Sequence, residues 1–254
     1  MSAADKARAF AALHIPGKPL ILYNAWDPGS AKAVADAGAK AIATGSHPVA
    51  NAFGFEDGEK MPLDLVLANA ARVVSAVDLP VTVDFEGGYA LAPAEVGANV
   101  ARLAATGAIG CNFEDQVIGG EGLHPIARQA ERIRAIRAAV GPDFFLNART
   151  DLFIKARGSG TAPDEAMVET ALERAHAYAE AGASGFFAPV LGNLALLERL
   201  CAASPLPVNF IAFPGGPSAR DAANAGVARI SHGPFPYKQA MQALKEAAEA
   251  ALAG

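Results

Sequence analysis

Residues 80–115 read PVTVDFEGGYALAPAEVGANVARLAATGAIGCNFED. Two short apolar runs, Pro80–Asp84 and Ile109–Phe113, flank a segment of helical period near 93–106. Both runs are almost continuously hydrophobic and rich in Val, Ile or Phe, as strands buried on both faces are. The helical segment ends in Thr106-Gly107-Ala108. A glycine there can take the left-handed conformation that stops a helix just before the next strand. Strand, helix and strand joined in this way form a βαβ unit, whose two strands run parallel.

Working outward, the same phrase recurs as Ala37-Gly38-Ala39, Ala181-Gly182-Ala183 and Ala225-Gly226-Val227, with Gly141-Pro142 at a similar junction. Six more strands fit the pattern: Leu20–Asn24, Lys40–Thr44, Phe144–Arg149, Ser184–Pro189, Pro207–Ile211 and Val227–Ser231. Helices are expected near 28–38, 62–77, 126–140, 163–181, 193–203, 217–225 and 236–252. Eight such units, with no long linker and no shift in composition, predict an α/β fold: one closed (βα)8 TIM barrel, a single domain over 1–254. An open doubly wound sheet is the other arrangement of such units. Eight units, and no GxGxxG after the first strand, weigh against it.

Hydrophobic residues make up 52% of the 254 and charged residues 19%, which suits a large core. The net charge of −5 and the lack of any basic run argue against nucleic acid as a partner. The two cysteines, Cys111 and Cys201, form no metal-type spacing and fit free thiols of a reducing compartment. The start carries no secretory pattern, and no apolar stretch approaches the ~20 residues of a membrane span. The expectation is a cytoplasmic protein without membrane contact.

Three connections exceed what a barrel needs: Gly45–Met61, Gln116–Pro125 and Leu152–Pro163. All lie on the side where strands feed helices, and that is where barrel enzymes place their active sites. Two carboxylates, Asp84 and Glu86, share one side of the third strand's end, and Gly87-Gly88 then lets the backbone turn tightly. Glu114-Asp115 closes the fourth strand beside them. Acids converging at a buried mouth repel one another unless a cation joins them, and hard oxygen donors suit Mg2+, with Mn2+ as a substitute. Helix capping, or pairing with Arg149, is the purely structural role open to these acids.

Arg149, at the end of the fifth strand, offers a planar fork to a substrate carboxylate, or else a salt bridge to Glu114 or Asp115. Thr44-Gly45-Ser46 supplies small residues whose N–H groups and hydroxyls can line an anion site, though a plain turn explains them equally well. His47, His124 and His232 fall in loops, and His124 follows the flexible Gly119-Gly120-Glu121-Gly122. Gly215-Gly216 sits where many barrels bind phosphate, and its flanking prolines fit a rigid turn as well.

In this order, Asn24-Ala-Trp-Asp27, Thr44-Gly45-Ser46, Gly54-Phe-Glu-Asp57, Asp84-Phe-Glu86-Gly-Gly-Tyr, Asn112-Phe-Glu114-Asp115 and Asn147-Ala-Arg149-Thr-Asp151 resemble the isocitrate lyase and phosphoenolpyruvate mutase superfamily. The resemblance covers nearly the whole chain. It implies a Mg2+ site served by Asp84, Glu86 and Glu114, directly or through water. It also implies a 2-oxo acid held by Thr44, Gly45, Ser46 and Arg149, with Asp57 near the reacting group and Trp26 and Asn209 as further substrate contacts. The implied chemistry forms an enolpyruvate-like anion as a C–C or P–C bond breaks. Exchange of the C-terminal helix between subunits, giving a homodimer or homotetramer, is implied as well.

Two departures narrow the reading. The Lys/Arg-Cys-Gly-His run of the isocitrate and methylisocitrate lyases is replaced by Gln116-Val-Ile-Gly-Gly-Glu121-Gly-Leu-His124. Glu121 and His124 are therefore the candidate acids of that loop. The sixth strand ends Ala188-Pro189, where the mutase carries His. The leading expectation is a Mg2+-dependent lyase that cleaves a C–C bond of a small 2-oxo or 2-hydroxy di- or tricarboxylate, resembling methylisocitrate lyase or oxaloacetate decarboxylase. A phosphonomutase-like or phosphonopyruvate hydrolase-like enzyme and a non-catalytic 2-oxo acid-binding barrel are the other readings.

Overall fold

A computed structural model of the chain describes residues 2–253. All eight expected strands are present: β1 (Leu20–Leu22), β2 (Ile42–Ala43), β3 (Val81–Asp84), β4 (Gly110–Glu114), β5 (Phe145–Arg149), β6 (Gly185–Phe187), β7 (Val208–Ile211) and β8 (Arg229–Ser231). Every paired neighbour is parallel, and β1 pairs with β8, so the sheet curls into a barrel. Between β1 and β2 the ring closes through the single bridge Ala25–Thr44.

The helices expected between strands form as α2 (Pro28–Asp36), α4 (Leu63–Ala76), α5 (Pro93–Ala105), α6 (Ile126–Val140), α8 (Glu165–Glu180), α9 (Leu194–Ala203) and α10 (Ala219–Asn224), numbered in chain order with those below. Gly38, Gly107, Gly182 and Gly226 all have φ between 90° and 102°, so the repeated helix-stop phrase does what its chemistry dictates. The helices α5 and α6 cross closely at Gly97, where an added Cβ would lie 2.8 Å from the carbonyl oxygen of Ala135.

Three short helices depart from the expected pattern. Ser2 and Asp5 form a capping box at the start of α1 (Ala3–Ala12). From α1, Ala7 and Phe10 close the barrel's lower end against Leu20, Leu22, Ala41, Ala43, Ile109 and Phe145. The connections expected as loops after β2 and β5 contain α3 (Ser46–Ala52) and α7 (Leu152–Gly158), each of seven residues. Runs this short carry too few repeats to show a helical period.

The last helix, α11 (Phe235–Leu252), stands apart. Pro236 is its one buried residue, while Leu244 and Leu252 are 62% and 87% exposed. Ile21 of β1 and Tyr23 just beyond it are correspondingly bare at 45% and 41%, although barrel strands ordinarily have helices packed outside them. A groove of about 580 Å3 runs along this face past Ile15, Ile21, Tyr23 and Val34. Among the described residues no helix is long and apolar enough to cross a membrane.

Candidate active site

The register of the barrel dictates the site. Asp84 pairs with Asn112, Asn112 with Asn147 and Glu114 with Arg149, so polar side chains of β3, β4 and β5 stand side by side at one end. Asn147 donates to Asn112 at 2.9 Å, and Arg149 Nη1 meets Glu114 Oε2 at 2.9 Å. Arg149 turns its other edge to Asp151, with Nε–Oδ1 at 2.5 Å and Nη2–Oδ2 at 3.0 Å. Its ring neighbour is Phe187 at 5.9 Å.

Beyond β3 the backbone is strained. Glu86, Tyr89 and Glu59 all have φ between 48° and 59°, in the left-handed region that side-chain-bearing residues avoid. These three hold one another. Glu86 Oε2 accepts the N–H groups of Gly58 and Glu59 at 2.8 Å each, and Glu86 Oε1 accepts the Tyr89 hydroxyl at 3.0 Å. Glu59 Oε1 in turn accepts the Tyr89 N–H at 2.8 Å. The segment carrying Asp57 is thereby strapped across the mouth. Gly87 makes the strap possible, since a Cβ there would stand 3.0 Å from both Glu59 Oε1 and Ile118 Cγ1.

Asp84 Oδ2 accepts the N–H and hydroxyl of Ser46, both at 3.1 Å, while the Asp84 N–H donates to Thr44 Oγ1 at 3.2 Å. The turn after β2 thus holds the Asp84 carboxylate. Asn24 ties three strand ends together: it donates to the Thr44 carbonyl at 2.9 Å and accepts the N–H groups of His232 and Gly233.

Burial, followed by the charges of Asp57 and Asp84, pushes the Glu86 carboxyl up to about 7. Burial also raises Glu114 above the ordinary carboxylate range, against the pull of Arg149. Crowding of its carboxyl at the mouth, with Asp84 nearby, raises Asp57, although the residue as a whole is exposed. Burial opposes the Arg149 charge, yet Asp151, Glu114 and Asp84 outweigh it and keep the guanidinium protonated. The Asp84 charge thus adds to burial in raising three acids at a single mouth, and a cation would relieve that repulsion.

The donor set fits Mg2+, which takes oxygen ligands and keeps several waters. Among the described residues no three His, Cys, Asp or Glu side chains form a direct metal cage. Glu86 is occupied by backbone N–H groups and Glu114 by Arg149, so Asp84 is the direct ligand this geometry offers and the other two would act through water.

The mouth opens into a cavity of about 180 Å3. Its lining combines the polar Ser46, His47, Asp57, Asp84 and Arg149 with the apolar Ile154, Phe187, Pro189, Val190 and Ile211, and the Arg149 guanidinium stands over the Phe187 ring. Of the residues expected here, Asp57, Asp84, Arg149, Gly45 and Ser46 line the cavity, with Glu86 and Glu114 just behind them. Thr44 is buried and reaches the site by accepting the Asp84 N–H, and four others are placed elsewhere. Glu121 is exposed at the tip of its loop. His124 is buried beside Arg132, Arg128 and Arg174; burial comes first in lowering its pKa to about 4, and those charges add to it. Trp26 packs edge-on against Tyr237 with ring centroids 5.2 Å apart, and Asn209 lies within the barrel next to Arg229.

Sequence reasoning quoted Tyr89 at the end of a motif without giving it a role, and missed Glu59, two residues beyond Asp57. It also missed the apolar lining, which comes from α7, the end of β6 with the residues after it, and the end of β7, and has no linear signature.

Residues 10–252 match the family model described as phosphoenolpyruvate phosphomutase. A crystal structure from Burkholderia cenocepacia J2315, assigned as a phosphonomutase, superposes with a TM-score of 0.92 at 49% identity, covering 96% of this chain and 99% of that one. The 2-methylisocitrate lyase of Escherichia coli K12 is 30% identical over 82% of this chain and 70% of its own length. The oxaloacetate decarboxylase of Rhodopseudomonas palustris BisB18 is 33% identical over 72% of this chain and 62% of its own.

Proposed function

Because the chain belongs to the phosphoenolpyruvate phosphomutase family, whose superfamily comprises lyases and mutases, we propose that it is a Mg2+-dependent lyase. It would cleave a C–C bond of a small 2-oxo dicarboxylate through an enolpyruvate-like anion. Decarboxylation is the form of cleavage this site favours. The observation that carries the reading is the mixed lining of one cavity: acids and a single arginine, Arg149, together with the apolar Ile154, Phe187, Val190 and Ile211.

Arg149 has five N–H donors, of which Asp151 takes two and Glu114 one. One N–H on each terminal nitrogen is left for the carboxylate next to the 2-oxo group. Asp84, with Glu86 and Glu114 through water, would hold Mg2+, which supplies Lewis-acid stabilisation to a developing enolate oxygen. The far carboxylate of a four-carbon substrate would then meet the apolar Ile154 and Val190, with Arg149, already engaged by the first carboxylate, as the one Lys or Arg of the lining. A desolvated carboxylate is driven towards neutral CO2. Its bond electrons pass into the enolate, so the leaving group needs no proton, and carbon takes one proton afterwards. This fits a cavity that neither Glu121 nor His124 lines. In a retro-aldol reaction those two residues would be the proton donors, brought in by closure of their loop.

The 49% identity to the structure assigned as a phosphonomutase favours a second reading, P–C bond chemistry. A turnover screen separates them. Oxaloacetate should yield pyruvate and CO2 faster than with Mg2+ alone. Cleavage of methylisocitrate or phosphonopyruvate, with oxaloacetate left at the background rate, overturns the assignment.

Assembly follows from α11. Its exposed apolar residues and the bare outer face of β1 suit reciprocal helix exchange in a homodimer or homotetramer. A cytoplasmic location accords with this metabolic role.

A further inference from the structure

The acid after Glu114 does not face the cavity, yet it is fully buried. A carboxylate in that position must be compensated, and its partners lie on a helix of the outer ring. Asp115 Oδ2 accepts Arg174 Nη1 at 2.9 Å and the Tyr178 hydroxyl at 2.8 Å, both from α8. Its other oxygen, Oδ1, accepts the N–H of Asp151 at 2.9 Å.

Two functional segments meet at this carboxylate. Asp151 is the residue that grips Arg149 along one edge. On the other side, the carbonyl of Asp115 accepts the His124 N–H at 2.7 Å, and Arg174 donates to the His124 carbonyl at 3.1 Å. The closing end of loop 116–125 and the support of Arg149 therefore share one buried ion pair. Without Arg174, the Asp115 carboxylate loses the cation that holds it against the Asp151 N–H, and the loop loses one of the two bonds holding His124.

We propose that Arg174, with Tyr178, is a positioning residue for the site. Through Asp115 it sets the Asp151–Arg149 pair that receives the substrate carboxylate, and it anchors loop 116–125 to the same point. The first half rests on the reading of Arg149 as the carboxylate receptor. The second half rests on the loop contacts alone.

The test uses the full chain with saturating Mg2+ and oxalate as the probe, titrated by calorimetry on wild type, Arg174→Met, Arg174→Lys and Tyr178→Phe. In parallel, a glutamyl endopeptidase reads cutting after the exposed Glu121. Supporting partners of this kind typically matter 10- to 100-fold, so Arg174→Met should weaken oxalate by about tenfold or more. It should also speed cutting after Glu121 several-fold. Tyr178→Phe should show smaller changes of the same sign, and Arg174→Lys should recover part of both. A purely structural role lowers the thermal midpoint but leaves the oxalate affinity of the folded protein and the cutting rate unchanged; that result overturns the proposal. If wild type binds no oxalate, the receptor role of Arg149 and the first half fall together. Unchanged cutting then removes the second half.

Discussion

One oxygen of Asp84 accepts both the N–H and the hydroxyl of Ser46, each at 3.1 Å. A turn with the composition of an anion site thus spends its donors on a protein carboxylate and fixes how that carboxylate faces the cavity. Asp84→Asn keeps the acceptor oxygen and removes the charge. It should abolish Mg2+-dependent oxalate binding. The thermal midpoint of the metal-free protein should not fall, because Glu86, Asp57 and Glu114 each lose a repelling neighbour. A large drop in that midpoint would recast Asp84 as structural.

Glu86 contributes a pH dependence of stability opposite in sign to that of His14 and His124, whose burial lowers their pKa values. Its folded pKa, about 7, lies above the ordinary 4.5. Between those values the folded protein holds a proton that the unfolded chain has released, so stability falls as pH rises through the window. The loss is on the order of 3 kcal/mol at most. Thermal melts of the metal-free wild type and Glu86→Gln from pH 4.5 to 7.5 should show it as a wild-type advantage over the variant that shrinks or changes sign as pH rises, and Mg2+ should reverse it by favouring the ionised acids. A wild-type midpoint that gains on that of Glu86→Gln as pH rises across this range contradicts the charge assignment.

The loop after β4 separates two forms of cleavage. Decarboxylation predicts that the double variant Glu121→Gln, His124→Gln keeps turnover within about threefold, a change of under 1 kcal/mol in barrier. Retro-aldol cleavage with a loop acid predicts a loss of about 100-fold or more, the usual scale of general acid–base catalysis. Steady-state kinetics on oxaloacetate and methylisocitrate decide between them.

Assembly is testable without activity. Met241 and Leu244 of α11 are exposed in the single chain, and exchange with a second copy would bury them. Light scattering should give a dimer or tetramer for the full chain. Met241→Glu combined with Leu244→Glu should shift it towards monomer. A full chain that is already monomeric rules out the exchange.

Much of the barrel was legible because its signals are local: buried strands read as apolar runs, and Gly38, Gly107, Gly182 and Gly226 stop helices just before strands. The acids at the ends of β3 and β4 were legible for an electrostatic reason, since charge at a buried strand end demands a partner. What escaped depends on contacts between distant segments. Ile154, Phe187, Val190 and Ile211 share one lining only when β5, β6 and β7 are neighbours. Arg174 looks like any charged helix residue until Asp115 lies against it. His124 was legible as a flexible-loop histidine, yet its backbone bond to Asp115 holds it beside three arginines.

The central claim is that Asp84 and its neighbouring acids assemble with a divalent cation to receive a 2-oxo acid. Calorimetric titration of oxalate, an enolate mimic, with and without Mg2+ tests it most directly. The account predicts mutual dependence: oxalate binds tightly only with Mg2+ present, and oxalate tightens Mg2+ by the same factor. Oxalate binding of equal strength in the metal-free protein, or none under either condition, would contradict it.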